Sequence, residues 1–146
     1  PDGPATVDDQ VVVLAGRGAY QTRRDRVELS ETHMSWVFLA GSLVYKLKKP
    51  VRFPHLDLST VAARQANCRE EVRVNRRLAG DVYRGVAALS VDAGGALHLN
   101  TPGEPVDWLV EMRRLPDARF LSTLLTGTAL GEAEIARLAA FLGDFY

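Results

Sequence analysis

Met34-Ser35-Trp36-Val37-Phe38-Leu39-Ala40-Gly41-Ser42-Leu43-Val44-Tyr45-Lys46-Leu47 is the stretch on which the fold turns. Two apolar runs rich in β-formers, Met34–Ala40 and Leu43–Leu47, flank the pair Gly41-Ser42. A glycine-led pair between such runs specifies a β-hairpin with a tight turn, and so antiparallel pairing. Both faces of the first run are apolar, which places that strand inside its sheet.

Upstream, Val27–Leu29 reads as a short strand and Ser30–His33 as a polar turn. Arg23–Arg26 is a polar connector, and Thr6 caps a short helix through Ala15 that Gly16 or Gly18 ends. Downstream, Pro50 and Pro54 stop the sheet and impose an extended connection. Ser59 or Thr60 caps a long helix through Ala79, closed by Gly80. Val61, Cys68, Val72 and Ala79 form its apolar stripe, with Val74 and Leu78 widening it. Val86–Val91 and Ala96–Leu99 flank Asp92-Ala93-Gly94-Gly95, a second hairpin signal. Pro102–Pro105 reads as a loop, Trp108–Met112 as a strand, Phe120–Leu125 as a short helix and Gly131–Phe145 as an amphipathic one. The expected class is α+β, an antiparallel sheet of about five strands with one long helix.

The chain has 146 residues, 47% hydrophobic and 25% charged, which is one ordinary domain rather than a disordered or fibrous segment. No apolar run approaches the ~20 residues of a membrane span, and the basic-then-apolar order of a signal peptide is missing from the N-terminus. The single cysteine, Cys68, excludes an internal disulfide. These features lead to the expectation of a soluble cytoplasmic protein with no membrane partner. Net charge is zero, yet residues 21–90 carry 13 Lys/Arg against 7 Asp/Glu, so the acidic residues lie mostly outside that span. A basic centre suits an anionic ligand such as a nucleotide phosphate, and equally a solvated helix face. Nucleic acid is not expected as a partner, because aromatics do not interleave with the basic Arg64–Arg84 region.

Lys46 lies on the second hairpin strand, where alternation puts Val44, Lys46 and Lys48 on one face. Such a lysine can grip phosphate oxygens while the apolar residue two positions earlier packs on a base. It needs a carboxylate to hold it, and the following helix supplies Glu70 and Glu71. Glu71 borders the buried stripe, whereas Glu70 is nearer the outer face and can pair with Arg73 or Arg77. On spacing alone, a solvated lysine and two surface glutamates remain the alternative. Ser35, His33 and the backbone amides of the polar turn are candidate phosphate contacts, although the turn has no glycine and is neither a P-loop nor a Gly-rich flap. His33 equally suits a structural hydrogen bond.

Beyond these residues, the long motifs are distinctive. Glu31–Gly41, Tyr45-Lys46-Leu47-Lys48-Lys49-Pro50-Val51, Leu56–Thr60, Glu70–Leu78 and Met112-Arg113-Arg114-Leu115-Pro116 together resemble a bacterial group of the aminoglycoside phosphotransferase-like kinases. The resemblance runs from about Tyr20 to the end. It implies a protein-kinase-like N-terminal lobe over residues 27–114, after an N-terminal helical segment (1–26) and before a hinge exit with the first helices of a C-terminal lobe (115–146). It further implies that ATP is bound by Lys46 and Glu71, with Val44 against the adenine and Glu111, Met112 and Arg113 as the hinge. The family's catalytic aspartate and magnesium ligands sit in motifs well beyond the hinge. None of Asp117, Glu132, Glu134 and Asp144 stands in such a motif. The resemblance therefore leaves no catalytic residue to name here, expects Mg2+ only with the rest of the C-terminal lobe, and expects the chain alone to be inactive. The acceptor would be a small-molecule hydroxyl. A non-catalytic kinase-like binding or regulatory module is the alternative function.

Overall fold

The computed structural model describes residues 5–20, 26–127 and 130–146. Most of the connector expected at Arg23–Arg26 lies outside them. The chain divides into two compact units, Pro1–Arg114 and Leu115–Tyr146.

The first unit opens with helix α1 (Val7–Ala15), closed by a capping box in which Thr6 Oγ1 accepts from the Asp9 amide and the Asp9 carboxylate accepts from the Thr6 amide. A 3₁₀ turn at Arg17–Ala19 follows, then strands β1 (Val27–Glu31), β2 (Ser35–Ala40) and β3 (Leu43–Lys48). Gly41 has φ 61° at the first central position of the β2–β3 turn, as the sequence requires of a tight hairpin. The connection after β3 contains a two-residue pair, β4 (Arg52–Phe53) and β5 (Leu56–Asp57), instead of a wholly extended link. Pro54 sits in the turn between them, where its fixed φ favours reversal. Helix α2 (Val61–Ala79) is capped by Thr60 Oγ1, which accepts from the Ala63 amide at 3.1 Å. Strands β6 (Tyr83–Val91), β7 (Leu97–Leu99) and β8 (Glu104–Arg113) complete the unit.

Among the described residues all strand pairs are antiparallel, and the main sheet has six strands in the order β1-β2-β3-β8-β6-β7. The class is α+β, with one strand more than the count of about five. β1 continues to Glu31, so the polar turn is shorter than expected, and Thr32 closes it by accepting from the Ser35 amide. β8 starts at Glu104, and Pro105 belongs to it rather than to a loop. There β8 has run past β3 and lies beside a bulge in its pairing with β6, the two settings in which a strand accepts proline.

The sheet buries both faces. On one, Leu14 of α1 with Ala19 and Tyr20 packs on Phe38, Tyr45, Leu47, Leu89 and Leu109. On the other, Cys68 and Val72 of α2 pack on Val110, with Tyr83, Val86, Trp108 and Met112 around them. The α2 stripe is narrower than expected: Val74 and Leu78 are each 43% exposed. At 100° per residue, the buried line runs Arg64–Cys68–Val72 in steps of four, and positions 78 and 74 point about 80° and about 120° away from its centre.

In the second unit, a 3₁₀ turn at Asp117–Arg119 precedes helices α3 (Leu121–Thr126) and α4 (Glu132–Phe145). Ile135, Leu138, Phe141 and Leu142 of α4 are exposed. Among the described residues, no helix is long and apolar enough to cross a membrane.

Candidate functional site

The strand register assembles the site in rows. Leu39, Val44 and Met112 face one another across β2, β3 and β8, and Val37, Lys46 and Val110 form the next row. Ser35 and Lys48 begin a third. Alternation puts all these side chains on the α2 face. Helix α2 covers the β6–β8 side of that face, leaving Val37, Leu39 and Val44 half-buried beside it.

Glu71 reaches from the edge of α2 to β3 and takes a lysine on each oxygen. Lys46 Nζ donates to Oε1 at 2.9 Å, and Lys48 Nζ donates to Oε2. The residue chosen from the sequence for its place beside the buried stripe is thus the one that meets Lys46, and Glu70 instead pairs with Arg73 on the outside. Side-chain exposure is 28% for Lys46, 7% for Lys48 and 13% for Glu71. Burial alone would raise the Glu71 carboxyl, but hydrogen bonds from Lys48 and Lys46, and their charges, outweigh it and hold it below the ordinary value. One carboxylate between two ammonium groups leaves the trio with one net positive charge.

Ser35 is buried next to this trio, opposite Lys48, and its hydroxyl has no partner among the described residues. The other predicted site residues are placed differently. His33 is exposed at the β1–β2 turn and lines an open recess of about 480 Å³ with Glu31, Thr32 and Lys49. Glu111–Arg113, expected from the resemblance to form a hinge, belongs to β8 throughout. The Glu111 carboxylate lies on the opposite face, where it accepts from Arg84 Nε at 2.8 Å and Asn100 Nδ2 at 3.1 Å. It lines a pocket of about 290 Å³ there with Tyr20 and Tyr45. Only Met112 of the three aims its side chain at the Lys46 face. The Arg113 and Arg114 amides donate to Val82 O and Ser42 O, each at 2.8 Å, so neither is a free donor. The Arg113 side chain pairs with Asp81 at 2.6 Å.

Two features escaped the sequence reading. The family resemblance points to Lys46 alone, although the strand face it shares with Lys48 already allows both to reach one carboxylate. Arg64 opens the basic Arg64–Arg84 region, yet it is buried on Asp107. Its position four residues before Cys68, in line with the stripe, was the available signal. Among the described residues, no group of three His, Cys, Asp or Glu side chains is placed to hold a metal ion.

The chain is 35% identical over 120 residues to uncharacterized proteins of Mycobacterium tuberculosis and Mycobacterium bovis, an alignment that covers 82% of this chain and 22% of each relative. It therefore spans about a fifth of the length of the curated relatives it matches. No family model matches the sequence, and no solved structure matches it.

Proposed function

We propose that residues 27–114 are a kinase-like nucleotide-binding lobe, serving an ATP-dependent phosphotransferase that acts on a small-molecule hydroxyl. The observation that carries this reading is the ion pair between Lys46 of β3 and Glu71 of α2, 25 residues apart, beside a half-buried apolar row. Lys46 is the more accessible of the two lysines on Glu71, and the trio's net positive charge suits phosphate oxygens. Val44, Leu39 and Met112 offer an apolar floor for a base, in the row next to the lysine on the same face. The unpartnered Ser35 hydroxyl lies on the same face but is buried, opposite Lys48.

Phosphoryl transfer depends on positioning and on neutralising the phosphate charge, and this lobe's residues fit those two tasks. The Arg113 and Arg114 amides are spent on Val82 O and Ser42 O, so in this reading neither serves as a base-edge donor. Magnesium ligands and the group that positions the acceptor hydroxyl are assigned to a helical second lobe. The apolar face of α4, with Ile135, Leu138, Phe141 and Leu142 exposed, is the surface assigned to packing within that lobe.

An acyl-phosphate derivative of ATP tests the assignment, because a lysine beside the bound phosphates attacks its acyl carbon and releases ATP. All three lysines of the chain lie at positions 46, 48 and 49, so mass spectrometry of one peptide reads the result. Acylation at Lys46 that excess ATP suppresses is expected. Labelling mainly at Lys49, indifferent to ATP, would contradict it.

A further inference from the structure

We infer that Lys48 is a positioning residue, which stays on Glu71 while Lys46 leaves that carboxylate to grip an anion. The inference rests on the reading of Lys46 and Glu71 as a nucleotide site, and it adds a division of labour between two lysines.

Each Glu71 oxygen has its own lysine, Oε1 taking Lys46 and Oε2 taking Lys48. The two lysines differ in where they can go. Lys48 is 7% exposed and sits opposite Ser35, which is itself buried. An ammonium so placed pays a large desolvation cost without a counterion, so Glu71 holds it. Lys46 is 28% exposed and sits opposite half-buried Val37, at the open side of the face. It can exchange a carboxylate oxygen for water or phosphate at little cost.

Glu71 has equally little freedom. Its charged neighbours are the two β3 lysines; Tyr83 of β6 and Cys68 of its own helix are the other titratable groups that sense it. Asn75 Nδ2 donates to the Glu71 backbone oxygen at 2.8 Å and leaves the carboxylate to the lysines. With one lysine, an arriving phosphate would have to share it with Glu71 or strip Glu71 bare. With two, the Lys48–Glu71 pair stays neutral, and the whole charge of Lys46 passes to the anion.

Lysine-selective isotope labelling gives a spectrum of three side chains, all within residues 46–49. Titration with inorganic tripolyphosphate should shift the Lys46 Cε and Nζ resonances and leave those of Lys48 in place. In parallel, the Glu71 carboxyl is titrated by NMR in three variants. Lys48→Met should raise its midpoint by about one unit or more, Lys46→Met by clearly less, and Lys48→Arg should restore the low value. Should Lys48→Met fail to fold, the wild-type spectra and Lys48→Arg still decide the matter. A Lys48 response as large as that of Lys46, or a Glu71 midpoint that rises more in Lys46→Met, overturns the division of labour alone. If no lysine responds to tripolyphosphate, the nucleotide reading itself falls, and this inference with it.

Discussion

Arg64 Nη2 donates to Asp107 Oδ2 at 2.7 Å, joining side chains that are 4% and 0% exposed. Arg64 Nε adds bonds of 3.0 and 3.1 Å to the same carboxylate, and Nη1 donates to Leu58 O and Ser59 O. One guanidinium therefore ties the first turns of α2, the segment before it and β8 into a single unit. Glu71 lies two turns further along α2, so the pair also fixes where that carboxylate meets β3.

Breaking the pair from one side leaves a buried charge without a partner. Arg64→Met or Asp107→Asn is expected to lower stability by about 3–5 kcal/mol, read from urea unfolding. The double variant Arg64→Met/Asp107→Asn should lose less than the two single losses combined, since neither charge is left behind. A single-variant loss below about 1 kcal/mol would show that the pair does not anchor α2.

Acid should loosen the lysine–glutamate trio. The folded Glu71 carboxyl lies below its ordinary 4.5, so the unfolded chain takes up this proton first as pH falls. The stabilisation is present above about 4.5 and is lost as pH drops through the folded value. Urea unfolding at a series of acid pH values should therefore show a shallower decline for Glu71→Gln than for the wild type. Parallel declines would mean that Glu71 is not held by the lysines.

Cys68 should be chemically quiet in the folded chain. It is fully buried under α2, its Sγ lies 3.6 Å from Trp108 O, and burial pushes its thiol up to about 11. Iodoacetamide at mildly alkaline pH should leave it unmodified in buffer and alkylate it fully in denaturing urea, as followed by intact mass. Ready alkylation in buffer would show that α2 does not stay on the sheet.

Much of this architecture was legible because its signals are local. Gly41-Ser42 between β-rich runs gave the central hairpin, Thr60 and Gly80 bracketed α2, and Asp92–Gly95 marked the β6–β7 turn. Alternation along β3 was enough to put Val44, Lys46 and Lys48 on one face. What failed depended on neighbours. Pro105 reads as a loop residue unless one knows that β8 has outrun β3 at that point. Val74 and Leu78 read as core until the sheet is seen to meet only the Arg64–Cys68–Val72 line. Glu111 keeps the predicted strand, but strand parity sends its carboxylate to the face away from Lys46. The Arg64–Asp107 pair spans 43 residues, beyond any local pattern.

Gly41 carries the hairpin conformation that L-residues resist, with φ 61°. Gly41→Ala should therefore cost about 1–2 kcal/mol, visible as a lower urea midpoint with an unchanged slope. A neutral or stabilising outcome would indicate a different turn.

The central claim, that Lys46 on Glu71 marks a phosphate-gripping site, is tested most directly by calorimetric titration of the chain with ATP, in parallel with Lys46→Met. The account predicts saturable binding by the wild type and at least about a tenfold loss of affinity in Lys46→Met, about 1.4 kcal/mol, with an unchanged folded spectrum. Equal affinity in the two proteins, or no binding by either, would contradict it.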